Sequence, residues 1–137
     1  MCNMNVTDSF IDKAAAFHGH LGPYLVLGVK MGLLARTLLN SDPFTTSAEV
    51  HTQKRTPYSC ILDGIQFSSG CTMGKGNISV VEDERIYSVF SAGSTTVQIW
   101  VKEDIIKELS TLQREELESR ARYLYTRENE ELFDVVT

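Results

Sequence analysis

Apolar residues recur at helical spacing through the first third of the chain and in short strand-like runs through its middle. Phe10, Ile11 and Ala14 share one side of the stretch from Asp8 to Ala16, with Thr7 placed to cap it, which predicts a short first helix. Gly19 and Gly22 disfavour its continuation, and Pro23 suits the first turn of a second helix running to about Leu39. Asn40-Ser41-Asp42-Pro43 stops that helix. It is apolar on most sides, as a buried central element is, and Gly28, Gly32 and Ala35 lie near one stripe where another backbone can approach closely.

Ala48 to Thr52 reads as a short strand. Thr56-Pro57 reads as an N-cap and first-turn proline for a helix from about Tyr58 to Ser69, ended by Gly70. Three strand-like runs follow, Asn77 to Glu82, Arg85 to Phe90 and Thr95 to Val101, separated by short turns, so the economical reading is an antiparallel meander. A short helix near Glu103 to Leu109 and a longer one from Thr111 to Thr126 come next, with Ser110 and Gln113 matching a capping box. The tail from Glu128 to Thr137 carries no clear pattern. N-terminal helices, central strands and C-terminal helices make the fold class α+β.

Composition narrows the setting. A chain of 137 residues with 42% hydrophobic and 23% charged residues suits one globular domain, residues 1–137. A net charge of -5 and an isoelectric point near 5.1 weigh against binding to a nucleic-acid backbone, and leave room for a small anionic ligand on a local basic group. Lys30 and Arg36 interrupt the apolar stretch from Leu21 to Leu39, so it reads as a buried helix and no membrane span is expected. The start of the chain lacks a signal-peptide pattern, and three cysteines cannot all pair, so free thiols and a cytoplasmic location are expected.

Three groups of residues carry candidate chemistry. His18 and His20, flanked by Gly19 and Gly22 just before a helix N-terminus, can project to one side of an extended loop and hold a metal. Cys60, Asp63, Gln66 and Phe67 recur at i, i+3, i+6 and i+7, and so line one helix face. There Cys60 suits a metal ligand, while Asp63 suits a ligand, a partner to a histidine or a proton carrier. The run Gly70 to Asn77 resembles a phosphate loop but fails on spacing, on Gly76 where Ser or Thr is needed, and on its helix-before-strand order. Lys75 could still help hold an anion there, and Cys71 in a glycine loop is a second candidate thiol. A helical rise of ~1.5 Å per residue puts Cys60 and Cys71 on the order of 15 Å apart, so one ion cannot take both from one straight helix: either one is a ligand and the other has another role, or a second subunit contributes one of them. That makes a homodimer worth expecting.

At this point the residues resemble a known family. Phe17-His18-Gly19-His20-Leu21-Gly22-Pro23, followed by Leu25-Val26-Leu27-Gly28, is similar to the opening signature of the formylmethanofuran dehydrogenase E-subunit family. Cys60-x-x-Asp63-Gly64-Ile65-Gln66 and Gly70-Cys71-Thr72-x-Gly74-Lys75-Gly76-Asn77 resemble its second signature. The resemblance implies intertwined dimers and a site where His18 and His20 meet the second signature's cysteine and aspartate around a zinc-type divalent metal. Many members have Cys where this chain has Gly22. Many also carry a C-terminal cysteine-rich zinc finger, whereas no Cys follows Cys71 here, so the chain resembles the core domain alone.

Three functions follow in order of preference. The first is a zinc-type metal-binding accessory protein, linked by resemblance to molybdenum or tungsten enzyme metabolism, with His18, His20, Cys60 and Cys71 as candidate ligands. The second is a small metalloenzyme with an open metal position, in which Asp63 is the acid/base and Lys75 holds a small anionic substrate. The third is a metal-free thiol-based binder or enzyme using Cys60 or Cys71.

Overall fold

The computed structural model describes residues 2–137, with side chains from residue 9 onward, so the cap expected of Thr7 lies outside the described side chains. Two helices come first, α1 (Cys2–His18) and α2 (Pro23–Leu39), meeting at a bend of 119°. Then come β1 (Thr46–Thr52), α3 (Cys60–Ser69), β2 (Ile78–Glu82), β3 (Tyr87–Ala92) and β4 (Thr95–Val101). The chain continues through α4 (Glu103–Ser110), a 3-10 turn (Arg114–Glu116), α5 (Leu117–Thr126), α6 (Asn129–Leu132) and β5 (Phe133–Val136). The α+β class holds, with helices at both ends and strands between.

The sheet runs β2-β1-β3-β4-β5. β3, β4 and β5 form an antiparallel meander, and the tail left without a pattern supplies its last strand. β2 differs from the expected meander. It pairs in parallel with β1, Val50 opposite Val80, because α3 carries the chain back across the sheet before β2 begins. β1 therefore sits between β2 and β3. A crossover helix permits parallel pairing where a tight turn does not.

One sheet face carries Val50, Phe90, Val97, Ile99 and Val101 into the core against α2, α3 and α5. Close approach of α2 to α3 is set by glycines. A Cβ at Gly64 would collide with the Leu25 carbonyl oxygen and stand 2.7 Å from Val29 N, and one at Gly28 would collide with the Ile61 carbonyl oxygen. The stripe read from Gly28 and Gly32 is thus the contact face of α2, and Gly64 answers it from α3.

Two helix starts differ from their sequence reading. Residues 56–59 form a turn, in which the Thr56–Pro57 peptide is cis, and α3 begins at Cys60 after Ser59. The capping box near residue 113 belongs to Gln113 and Glu116, whose carboxylate accepts from Gln113 N at 2.6 Å, and not to Ser110. Ser110 is instead the last residue of α4.

The opposite sheet face carries His51, Tyr87 and Trp100 in a stack, with ring centroids 4.1 and 3.8 Å apart. His51 is thus held structurally, by Tyr87 and by the carboxylates of Glu49 and Asp83. The Arg85 side chain, bonded to Asp83, holds the Asp83 carboxyl down at about 2. A lowered carboxyl stabilises the fold above its unfolded value, and the contribution is lost as pH falls through the folded one. Urea midpoints for Asp83→Asn should therefore change less than wild type between pH of about 4 and about 2, and parallel acid limbs would show that the clamp contributes nothing.

Candidate functional site

His18 is the last residue of α1, because that helix runs two residues past the predicted end. Gly19 then takes a φ of 113°, a left-handed backbone that ends the helix and turns the chain toward α2. His20 follows on this bend, exposed, with its ring 4.8 Å from that of His18. A Cβ at Gly22 would stand 3.2 Å from His20 Nε2, so the His20 ring lies where a side chain at position 22 would begin.

The His18 Nδ1–H donates to Asp63 Oδ2 at 2.5 Å. A carboxylate only accepts, so this bond assigns the proton to Nδ1 and leaves Nε2 with its lone pair free in the neutral ring. The His18 side chain is 10% exposed, and its Nε2 is buried with no hydrogen-bond partner among the described residues. Such a group is rare inside proteins and costs stability unless something meets it. Histidine held by a carboxylate at one nitrogen and open at the other is the arrangement of metal-bound imidazole.

Cys60 opens α3, three residues before Asp63, so one turn of helix sets both beside His18. His18 and Cys60 line the same two clefts. The first, of about 290 Å³, runs along α3 and β2, and Asp63, Gln66 and Ser79 also line it. Two effects compete at the Cys60 thiol. A helix N-terminus favours thiolate, yet burial and the nearby Asp63 charge win and push the thiol up. Gln66 accepts from Met73 N through Oε1 at 3.0 Å, and its Nε2 lies 3.4 Å from Asp63 Oδ1. Phe67 leaves this group for the α1 contact, 5.0 Å from the ring of Phe10.

The family model described as "FmdE, Molybdenum formylmethanofuran dehydrogenase operon" matches residues 17–134. The chain belongs to the FmdE family. The matched region contains every candidate site residue. A tungsten formylmethanofuran dehydrogenase FmdE-like protein from Syntrophus aciditrophicus shares the fold, with a TM-score of 0.59 at 20% identity, over 95% of this chain and 70% of that one. A probable S-adenosyl-L-methionine-binding protein of Archaeoglobus fulgidus is 32% identical over 68 residues, covering 48% of this chain and 19% of that protein. The chain thus spans about a fifth of that relative's length.

Within this FmdE core, the expected site residues divide into two groups. His18, His20, Cys60 and Asp63 come together. Cys71 does not join them. It lies past the far end of α3, fully buried, and its thiol donates to the Thr46 carbonyl at 3.5 Å. Burial also pushes that thiol up. Cys71 therefore packs as a small apolar residue, and reaching an ion in another copy would require unpacking the core. Iodoacetamide on the native protein should label Cys60 and spare Cys71 until denaturant is added; peptide mass mapping that finds Cys71 labelled first would contradict this placement.

Lys75 is also apart. It stands on the exposed turn after Cys71, its ammonium 5.4 Å from the Phe44 ring centre, and lines neither cleft at His18. The anion-holding role expected of it has no support in its position. Arg120 and Arg127, on and just after α5, pair with Glu108. What the sequence did not reveal is the second cleft's wall, formed by Tyr24, Tyr58, Leu109, Leu112 and Leu117. These come from separate elements, and no single window of sequence shows that they converge.

Among the described residues no three His, Cys, Asp or Glu side chains converge tightly enough to enclose an ion. The donors fit a zinc-type ion in kind, as imidazole and thiol, but one chain falls short in number. No single helix among the described residues is long and apolar enough to cross a membrane.

Proposed function

We propose that the chain is a zinc-type metal-binding accessory protein that serves molybdenum or tungsten enzyme metabolism. The observation that carries this reading is the buried, partnerless Nε2 of His18, whose other nitrogen is fixed by Asp63. His18 and Cys60 are the principal donors, and His20, exposed on the same bend with its ring 4.8 Å from that of His18, offers a second imidazole once it turns toward the ion. The ion when bound would act as a Lewis acid and lower the pKa of water or thiol attached to it. Asp63 orients the ring and keeps its lone pair turned to the ligand side. The reading goes with a homodimer, because a second copy supplies donors that one chain lacks, and with the cytoplasm, where Cys60 stays reduced.

Protein purified without added metal should carry about one zinc per chain by elemental analysis, and metal-free protein that cannot be reloaded would defeat the proposal. Asp63→Asn should keep the fold and lower zinc affinity by roughly 10–100-fold, because it removes the group that orients His18. Lys75→Ala should leave affinity unchanged. A metal-independent role for Cys60 as a nucleophile is weaker, since burial and Asp63 keep its thiol protonated.

A further inference from the structure

The second cleft is built around the N-terminus of α2. It encloses about 280 Å³, and Gly22, Pro23, Tyr24 and Leu25 line one side of it. Val26 N is the first amide of α2 with a backbone acceptor, Gly22 O at 3.2 Å, so among the described residues the amides of Tyr24 and Leu25 have none. Gly22, at the cap position, has no side chain to meet them. The positive end of a 17-residue helix is thus left uncapped at the cleft.

An open helix end alone selects no ligand, and Tyr24 adds the second feature. This residue is 6% exposed and lines the cleft, yet its hydroxyl has no hydrogen-bond partner among the described residues. Unlike His18 Nε2, that hydroxyl keeps accessible surface, so a ligand can reach it. Burial and the neighbouring Tyr58 push the Tyr24 pKa up to about 12, which keeps the group an O–H donor. Tyr58 meets Tyr24 edge to face, with ring centres 5.5 Å apart, and brings a second phenol to the same wall. A largely buried donor without an acceptor costs stability until something accepts from it.

The wall also sets charge and shape. No Asp, Glu, Lys or Arg lines this cleft. A helix end carries roughly half a positive charge, and with two neutral hydroxyls it suits one delocalised negative charge. A dianion such as a phosphate ester would need a cation that the wall lacks. Leu109, Leu112 and Leu117 give the rest of the molecule an apolar surface.

We infer that this cleft binds a small monocarboxylate with an apolar body, its carboxylate on the α2 N-terminus and the two tyrosine hydroxyls, its body against the leucines. The site adjoins the proposed metal donors but takes no bond from them, so it does not depend on an ion.

The test uses the full chain, freed of metal with EDTA, and titrates it with phenylacetate and with 2-phenylethanol as the neutral match, followed by ligand-detected NMR. Phenylacetate should bind about tenfold or more tightly than phenylethanol. Tyr24→Phe removes one partnerless hydroxyl and keeps the ring. It should weaken phenylacetate by about tenfold without lowering the melting temperature. Leu112→Glu sets a like charge in the wall and should weaken phenylacetate by about tenfold or more. If that variant loses the native circular dichroism spectrum, Leu117→Glu takes its place. Phenylethanol binding as tightly as phenylacetate, or Tyr24→Phe binding phenylacetate like wild type, would overturn the inference. A larger loss with His20→Ala than with Tyr24→Phe would also overturn it, by moving the anion onto the imidazole. Protein that never holds zinc yet binds phenylacetate refutes the ion and keeps the cleft; protein that holds zinc but ignores phenylacetate after EDTA does the reverse.

Discussion

His18→Ala is expected to strip the protein of stoichiometric zinc, lowering affinity by roughly 100-fold or more. Loss of an outer partner alone costs ~10–100-fold at metal sites, and removing the donor itself should exceed that. The loss should come without unfolding. The partnerless Nε2 contributes no hydrogen bond to the fold, and Asp63, 38% exposed at its side chain, can turn to water once the ring is gone. Competition against a chromophoric chelator measures the affinity, and a parallel melting curve checks the fold. Wild-type zinc binding by the variant would remove the imidazole from the site and the metal reading with it. His18→Gln separates the explanations further, since an amide restores bulk and a hydrogen bond to Asp63 but not an imidazole donor.

Gly64→Ala should damage the molecule most, by about 3 kcal/mol of unfolding free energy and about 10 °C in Tm. The added methyl meets backbone and not a movable side chain: the Leu25 carbonyl oxygen, and Val29 N at 2.7 Å. Relief requires α3 to move off α2, and α3 is the helix that presents Cys60 and Asp63 to His18. Zinc affinity should therefore fall together with stability. Gly76→Ala is the control. It has a φ of 71° with open space around it, so it should lose only about 1 kcal/mol through backbone conformation and leave zinc binding intact. Equal losses at the two positions, read from urea unfolding, would mean that helix contact is not what Gly64 provides.

These two variants probe different levels of the same design. Gly64 sets how closely α2 and α3 approach, and that closeness decides whether a residue on α3 reaches the end of α1. Asp63 and His18 are 45 residues apart in sequence, yet they share a hydrogen bond. Cys71, only 11 residues from Cys60, is carried to the opposite end of α3. Chain distance and site membership are unrelated here because a helix moves its residues along an axis, while the packing of two helices brings distant turns together.

Much of this was readable from the chain by itself. Apolar spacing, Pro23 and the turn at Asn40 located α2, and the i, i+3 spacing of Cys60 and Asp63 placed both on one side of α3, since local backbone preference and side-chain periodicity act over a few residues. The FmdE signatures singled out the histidines, the cysteine and the aspartate. Only the tertiary structure decided the rest. It inserted β1 between β2 and β3, buried Cys71 against Thr46, left Lys75 in solvent and built the tyrosine–leucine cleft beside His18. Each of those outcomes depends on surfaces that meet after the helices pack on the sheet, and no stretch of sequence contains both halves of such a contact.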